Sequence, residues 1–372
     1  MLYKFNKYQI CNKCTIDNSF IDVNFYKGKC EFCINFEKNI QQEIISSKKN
    51  LNFLLSKIKR NEKILFALSG GIDSAYLLHY LVTEFKIKPL VIHIDTGWNS
   101  MTAVTNIENL ITNLNLEYEA VVLDWKEFQD LTLSFFKASV PTIDAIQDHG
   151  IFGSLYKYAK DNNIKTIITG GNIITECIRE PLLVHYHAGD TRQIKDIQSR
   201  FGNIEIKKFP FCDIFNYQII YKFVYGIKIF QPLNSINYDK EDAAKILTET
   251  YGWKNYSEKH HESNLTKFLE GFWILEKFKI DKRRFYFSSL INSGQLNRSE
   301  ALIKLQKKPF DQEEIKKQKK YICSKLGISN EKLNDFFNSK NKYHFDYKNN
   351  NFFISIVIKI LRLLKLENRL FK

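Results

Sequence analysis

The stretch "LFALSGGIDSAYLL", residues 65–78, decides the fold class of this chain. A short apolar segment runs directly into Ser69, Gly70 and Gly71, and the residues that follow carry apolar side chains at helical spacing. A strand, a glycine turn and a helix in this order favour the binding of an anion at the turn, because free backbone N–H groups and the helix dipole both point there. The stretch therefore predicts a phosphate-binding turn, with Asp73 and Ser74 in the first turn of the helix. A glycine turn that serves only helix packing is the alternative.

Apolar runs rich in β-branched residues alternate with segments of helical spacing in the first half of the chain. The runs cover residues 63–68, 89–94, 118–123 and 164–170, and the helical segments cover 73–86, 101–115 and 150–162. This alternation predicts an α/β domain, in which a parallel sheet has helices on both faces. Ligands of such sheets bind beyond the carboxyl ends of the strands. We therefore expect the turn of Gly170, Gly171 and Asn172 to lie against the phosphate-binding turn.

From about residue 210 the pattern becomes mainly helical, which predicts a second domain. Candidate helices cover residues 215–226, 240–250, 263–279, 298–307, 311–326 and 330–338. The expected organisation is a cysteine knob at 1–36, a connecting helix at 37–60, a sheet domain at 61–210, a helical domain at 211–345 and a tail at 346–372.

The knob contains two Cys-x-x-Cys pairs, which are separated by fifteen residues. Cys11, Cys14, Cys30 and Cys33 have the spacing of a tetrahedral zinc site, and Gly28 allows a tight turn before the second pair. Two disulfides or an iron–sulfur cluster are the alternatives. The N-terminus lacks the pattern of a secretory signal, so we expect a reducing, cytoplasmic setting that disfavours disulfides.

Positive charge is concentrated near the C-terminus. The chain has a net charge of +14, and residues 301–372 hold 17 Lys and Arg against 7 Asp and Glu. In the tail, a helix would place Lys359, Arg362 and Arg369 on one stripe, with Lys365 near it and apolar residues opposite. This pattern predicts either a peripheral contact with the inner face of an anionic membrane or docking on a partner or on the body of the protein.

The hexapeptide Ser69–Ser74 resembles the pyrophosphate loop of the PP-loop ATP pyrophosphatase superfamily. The resemblance implies cleavage of ATP between the α and β phosphates, with Mg²⁺ held in part by Asp73. It also implies that "HIDTGW" (93–98) borders the adenosine, with Asp95 near the ribose or the metal. A turn residue at the end of a strand is an equal interpretation of Asp95.

The segment 251–302, together with "QDHGIFGSLYKYA" (147–159) and "GGNIITE" (170–176), resembles the N-acetyl sugar amidotransferases. We see this resemblance up to about residue 345. The family implies catalytic groups in two clusters, which comprise Lys259, His260, His261 and Glu262 in the first and Lys282 and Arg283 in the second. The first cluster would face phosphate, Mg²⁺ or the reacting carbonyl, and the second would bind anionic substrate groups. A capped helix and ordinary surface charge are the alternatives.

The resemblance implies an enzyme of surface-polysaccharide biosynthesis, such as that of lipopolysaccharide and O-antigen. It would convert the acetamido group of a nucleotide-linked sugar or sugar acid into an acetamidino group. Ammonia would come from a glutaminase pair similar to the subunits of imidazole glycerol phosphate synthase, and no nucleic acid would be bound. The alternatives are a PP-loop tRNA thiolase, for which Cys177 and Cys212 are the only candidate cysteines in the sheet domain or just beyond it, and a non-catalytic ATP-binding subunit.

Overall fold

A small knob precedes the main body in the computed structural model, which describes residues 7–48, 51, 55–56, 63–256 and 259–363. A two-stranded antiparallel hairpin, β1 (Phe25–Tyr26) and β2 (Lys29–Cys30), carries the second cysteine pair. Its turn requires Gly28, since φ there is +79° and a Cβ would lie 2.8 Å from the Asn12 side chain. The connecting helix follows as Glu31–Asn35, a π-helical turn at Phe36–Ile40 and Gln41–Lys48, and the rest of the predicted segment to residue 60 falls largely outside the described residues.

Five parallel strands form the central sheet, in the order β5-β4-β3-β6-β7. The strands are β3 (Ile64–Ala67), β4 (Leu90–Asp95), β5 (Tyr118–Val122), β6 (Thr166–Thr169) and β7 (Lys228–Phe230). The burial of the strands follows from their positions in the sheet. The central strands β3 and β4 are almost fully buried, whereas the edge strand β5 is largely exposed. The strand order reverses between β3 and β6, which leaves a crevice at their carboxyl ends.

The predicted α/β fold class is confirmed, with differences in detail. Strand β7 was not predicted, and it lies beyond residue 210, where we expected the sheet domain to end. The helices of the sheet domain are Ile72–Thr83, Met101–Leu114, Trp125–Ala138, Ala145–Asp161 and Thr191–Phe201. Trp125–Ala138 and Thr191–Phe201 were also not predicted.

The second half of the chain is mainly helical, as expected. Its α-helices are Lys240–Tyr251, Asn264–Phe268, Arg283–Asn292, Arg298–Gln306, Gln312–Leu326, Asn330–Asn338 and Asn351–Leu363. Asn216–Val224 and Leu269–Phe278 are π-helical, and Pro232–Ser235 and His344–Asp346 are short 3₁₀ turns. Within the described residues, no helix is both long and apolar enough to cross a bilayer.

The second half joins the sheet at the carboxyl end of β4. Asn99 pairs with Ser263 in an antiparallel bridge, Ser100 N–H donates to the Glu262 carbonyl at 2.8 Å, and Asn264 N–H donates to the Trp98 carbonyl at 2.8 Å. The segment 259–264 is thereby fixed beside the phosphate-binding turn, although almost two hundred residues separate them in sequence.

Candidate active site

A cleft of about 1610 Å³ opens at the carboxyl ends of β3 and β6, where the strand order reverses. Its walls come from both halves of the chain. Most of the predicted site residues line it: Ser69, Gly71, Asp73, Ser74, Gly170, Gly171, Asn172, Lys259, His260, Glu262, Lys282 and Arg283. The fold therefore brings together groups that are widely separated in sequence.

Hydrogen bonds of its two serines fix the conformation of the phosphate-binding turn. Ser69 Oγ lies 3.1 Å from Ser74 Oγ and accepts from Gly71 N–H at 3.2 Å, while Ser74 Oγ donates to the Gly71 carbonyl at 3.0 Å. Gly70 has φ +86°, a conformation that glycine adopts without strain. Among the described residues, no side chain caps the helix Ile72–Thr83, so its N-terminal end remains available for an anion in the cleft.

Gly170 packs directly against this turn. A Cβ at position 170 would lie 2.5 Å from Ser74 Cα and 2.6 Å from Ser74 N. Both distances are too short for a side chain, so this close packing requires glycine. The next residues are locked as well, because Asn172 Oδ1 accepts from Thr175 N–H at 2.8 Å and Ile173 N–H donates to Asn234 Oδ1 at 2.7 Å. The predicted contact between the two glycine turns is therefore present.

Three residues of the second half reach the phosphate-binding turn. The Tyr238 hydroxyl donates to Asp73 Oδ1, and the Tyr256 hydroxyl donates to the Gly70 carbonyl at 2.6 Å. Glu262 places Oε1 3.0 Å from the position that a Cβ on Gly71 would occupy. Two carboxylates, Asp73 and Glu262, thus stand beside one glycine turn. We did not predict Tyr238 or Tyr256, since an isolated tyrosine in a tyrosine-rich chain gives no sequence signal.

Lys259 is held at the cleft by an ion pair. Its Nζ lies 2.7 Å from Glu176 Oε1 and 5.3 Å from the centre of the Tyr286 ring. Burial opposes the charge on Lys259, but the carboxylates of Glu176 and Asp73 outweigh burial and raise its pKa above the ordinary value. Lys259 is therefore a fixed cation on the same side of the cleft as Asp73.

The two histidines of the predicted cluster point in different directions. His260 lines the cleft with φ +63°, and its Nδ1 lies 3.8 Å from Glu262 Oε1. Burial opposes protonation of His260, but Glu262 raises its pKa overall. His261 does not line the cleft; it is buried beside Phe310, and burial lowers its pKa to about 4. Of the two, only His260 is placed to contact a ligand.

Asp95 serves the turn after β4. Its Oδ1 accepts from Gly97 N–H at 2.7 Å and from Asn99 Nδ2 at 2.9 Å, and Asp95 is absent from the cleft wall. The geometry therefore favours the alternative interpretation, a residue that caps a strand-end turn, over contact with ribose or metal.

Lys282 lies among carboxylates in the wall of the cleft. Its Nζ is 2.9 Å from Glu270 Oε1, 3.5 Å from Glu180 Oε1 and 3.9 Å from Asp144 Oδ2. Burial opposes its charge, but Glu180, Glu270 and Asp144 raise its pKa well above the ordinary value. Since three carboxylates already surround this cation, Lys282 is not placed to bind a substrate anion.

Arg283 is also engaged by the protein itself. Its guanidinium forms a bidentate pair with Asp281, at 2.9 and 2.7 Å, and donates to the Lys304 and Lys307 carbonyls at the end of helix Arg298–Gln306. Although Arg283 borders the cleft, its contacts are those of a helix-capping residue.

The four cysteines of the knob converge on one point. Their sulfurs all lie within 4.8 Å of one another, with Cys14–Cys30 at 3.6 Å and Cys11–Cys33 at 3.9 Å, too far apart for disulfide bonds. Backbone N–H groups of Lys13 and Cys30 donate to Cys11 Sγ at 3.4 and 3.3 Å. The cluster has the arrangement of a metal or iron–sulfur ligand set.

The knob is fastened to helix Arg283–Asn292, which borders the cleft. Arg284 Nη1 lies 2.9 Å from Asp17 Oδ2, Thr15 N–H donates to Ser288 Oγ at 3.2 Å, and Asn292 Nδ2 donates to Cys33 Sγ at 3.4 Å. On the cleft side of the same helix, Lys240 Nζ donates to the Tyr286 hydroxyl at 2.6 Å. The metal-ligand cluster therefore supports one wall of the cleft.

The C-terminal part of the chain is similar to a known protein family. Residues 262–362 match the family model of the LPS biosynthesis protein WbpG-like C-terminal domain. This match confirms the resemblance to surface-polysaccharide enzymes. It also corrects its extent, since the family similarity continues to 362 rather than ending near 345. No curated protein sequence matches the chain.

The solved structures to which this chain is similar include three enzymes, all at low sequence identity. The U34-tRNA thiolase NcsA from Methanococcus maripaludis, with its 4Fe-4S cluster, is 18% identical, with 80% of this chain and 88% of that chain covered and a TM-score of 0.33. For the NH3-dependent NAD synthetase from Campylobacter jejuni, these values are 17%, 81%, 97% and 0.31. For NMN synthetase from Francisella tularensis, they are 15%, 59%, 98% and 0.29. Likenesses at such TM-scores say nothing about the substrate of this chain.

Proposed function

We propose that this protein is an ATP-dependent amidotransferase that converts the acetamido group of an N-acetyl sugar into an acetamidino group. The observation that carries the proposal is the joining, in one cleft, of a PP-loop-like anion turn with the segment where the WbpG-like domain begins, at Glu262. An ATP-cleaving turn and a domain of polysaccharide enzymes together favour a sugar as the group that is activated.

ATP would place its phosphates at the N-terminus of helix Ile72–Thr83. Lys259 adds a fixed cation nearby, and Asp73 and Glu262 supply carboxylate oxygens, the ligands that Mg²⁺ prefers. When bound there, Mg²⁺ would neutralise phosphate charge during release of pyrophosphate. The close packing of Gly170 on Ser74 keeps the rim of this anion site rigid.

The carboxylates around Lys282 suit the hydroxyl groups of a sugar. Glu180, Glu270 and Asp144 surround this one cation, so the four groups together carry more negative than positive charge. Carboxylates accept hydrogen bonds from hydroxyl groups. In the proposed complex Lys282 orients these carboxylates, whereas an anionic group of the substrate would face the Lys259 side.

The proposed reaction proceeds in two steps. The acetamido oxygen attacks the α phosphorus of ATP, and the bond to pyrophosphate breaks. Ammonia then adds to the acetamido carbon, AMP departs with the former acetamido oxygen, and the nitrogen loses a proton to leave the amidine. Ammonia would be supplied by the glutaminase pair that the family resemblance implies.

The knob is proposed to hold Zn²⁺. Four thiolates around one ion at about 2.3 Å would lie about 3.8 Å apart, which fits the sulfur distances of 3.6 and 3.9 Å. A four-iron cluster places a separate iron behind each thiolate, so its ligand sulfurs would lie farther apart. All four cysteines are fully buried, which is typical of a structural rather than a catalytic site.

A tRNA thiolase is less well supported, because such enzymes commonly depend on reactive cysteines in the catalytic domain. Cys177 is buried, and its thiol donates to the Ser289 carbonyl at 3.6 Å. Cys212 is buried too, and burial raises its pKa to about 12, which disfavours the thiolate. Neither lines the main cleft.

The test is the release of AMP and pyrophosphate by the purified full-length protein. We expect release from Mg·ATP to require both ammonium and an acetamido sugar, and mass spectrometry to show the amidine product. Gly170→Ala should reduce the rate about 100-fold, since its Cβ displaces the phosphate-binding turn. Gly189→Ala is the matched control, because its nearest neighbour lies 3.9 Å from the new Cβ.

Two other results of this assay would support the alternative functions. ATP cleavage that depends on tRNA and a sulfur donor would establish the thiolase alternative. ATP binding without any cleavage, across a panel of acetamido sugars with ammonium present, would favour a non-catalytic subunit.

A further inference from the structure

The C-terminal helix Asn351–Leu363 is apolar on two sides, and the part of the chain that the structure describes covers one of them. The covered side contains Ile354 and Leu361, which are buried, and Ile358, which together with Ile354 lines a small cavity beside Cys212. A helix that only docks on its own protein needs one such side. The second apolar side is therefore not needed for docking on the protein itself.

The uncovered side, which we name the outer apolar face, is broad. At 100° per residue its members span about one quarter of the helix circumference. Phe352 and Leu363 are 81% and 82% exposed, Phe353 is 53% exposed, and the outer apolar face comprises Phe352, Phe353, Ile356, Ile360 and Leu363. Contiguous apolar surface of this kind marks a binding face in a folded protein.

The helix is held firmly, so this exposure follows from how it is anchored. Asn350 N–H donates to the buried carboxylate of Asp190 at 2.6 Å, and Lys348 N–H donates to Asp196 Oδ2 at 2.9 Å. Asp190 in turn caps the helix Thr191–Phe201. These bonds fix the start of the C-terminal helix with its outer apolar face toward solvent.

We propose that the outer apolar face binds the surface of an anionic lipid bilayer. Positive charge accompanies the face: residues 346–372 contain six Lys and Arg (348, 359, 362, 365, 369 and 372) against two acidic residues (346 and 367). Lys359 lies at the edge of the face and is exposed. Aromatic and aliphatic side chains bordered by cations are the pattern of helices that lie in the headgroup region of anionic membranes.

A second copy of the chain fits this face less well. A symmetric dimer would bring the same net positive segment of each copy together, and like charges would oppose association. The proposal places the helix in the plane of the membrane, since its 13 described residues at about 1.5 Å each give about 20 Å, whereas a bilayer core is about 30 Å thick.

A neighbouring helix also exposes apolar side chains. Tyr217 and Gln218 line the same small cavity as Ile354 and Ile358, which places helix Asn216–Val224 beside the C-terminal helix. On this neighbour, Phe223 is 52% and Val224 is 67% exposed. Membrane contact through the C-terminal helix would hold the protein at the bilayer surface, whatever reaction takes place in the cleft.

Vesicle flotation with the full-length protein tests this inference. We expect flotation with vesicles of phosphatidylglycerol and phosphatidylcholine, and little with phosphatidylcholine alone. Phe352→Ser and Phe353→Ser should each weaken binding about tenfold, because each phenylalanine would lose its burial in the bilayer. Lys359→Glu should weaken binding and reduce its dependence on salt. Ile303→Ser is the matched control, since Ile303 is 58% exposed on a different helix.

Two results would overturn the inference. One is the absence of flotation with anionic vesicles, while circular dichroism shows that the protein is folded. The other is a dimer in sedimentation experiments that Phe352→Ser dissociates, which would assign the face to a second copy. Neither result bears on the AMP and pyrophosphate assay, so failure of the membrane inference and failure of the proposed reaction can be told apart.

Discussion

At the residue scale, Asp148 is the group whose protonation should change in mildly acidic solution. Burial and, next, the Asp144 carboxylate raise the pKa of Asp148 to about 6, although His185, His260 and Lys282 oppose them. The pKa is higher in the folded state than in an unfolded chain. The stability that this group contributes is therefore complete below about pH 4 and is lost as the pH rises through about 6.

Asp148→Asn should remove this effect with little change in size. We expect the variant to unfold at a higher temperature than the wild type near pH 7, because the wild type must hold an ionised carboxylate in the cleft. The difference should fall to less than half near about pH 4.5. Calorimetry across this pH range measures it, and a variant that is less stable near neutral pH would contradict the raised pKa. Asp161→Asn is the control, since Lys157 lowers the pKa of Asp161 and no gain is expected.

At the element scale, helix Arg283–Asn292 connects the cysteine knob to the cleft. One side of the helix binds the knob through Arg284 and Ser288, and the other side carries Tyr286 and Ser289, which line the cleft. Removal of the proposed zinc ion would leave four buried thiols with no ion to hold them together. The helix should then lose its support on the knob side.

We expect a zinc chelator to raise hydrogen–deuterium exchange in the segment 283–292 and to lower the melting temperature. Mass spectrometry of peptic fragments measures this exchange without reference to activity. Cys30→Ser should produce the same change, whereas Cys323→Ser, at a cysteine outside the cluster, should not. Unchanged exchange in 283–292 after complete metal removal would show that the knob does not support the cleft wall.

At the scale of the whole molecule, the second half of the chain completes the proposed nucleotide site. Glu262 reaches Gly71 only because the segment 259–264 is bridged to the end of β4. Glu262→Gln should therefore weaken Mg·ATP binding about tenfold or more, since it removes a carboxylate next to the proposed metal position.

Isothermal titration of Mg·ATP measures this loss of affinity. Glu314→Gln is the matched control, because Glu314 pairs with Lys267 at 2.7 Å and lies outside the cleft wall. Equal affinity of wild type and Glu262→Gln would exclude Glu262 from the nucleotide site, even if Asp73 remains in it.

Features that depend on residues close together in the chain could be predicted from the sequence, whereas features that depend on distant residues could not. The strands β3, β4, β5 and β6, the phosphate-binding turn and the cysteine spacing were predictable, because each depends on residues close together in the chain. The three-residue strand β7 was not, since it is too short to show a periodicity and is defined by its pairing with β6. The π-helical turns are likewise not encoded in a simple pattern.

The sequence by itself determined the parallel sheet, the glycine turn at Ser69–Ser74 and the spacing that lets four cysteines converge. Only the tertiary structure decided which charged groups face the cleft: it turned His261 into the core, engaged Arg283 with Asp281 and surrounded Lys282 with three carboxylates. The physical reason is that spacing fixes local backbone geometry, whereas the role of a charge depends on the partners that folding brings to it from distant parts of the chain.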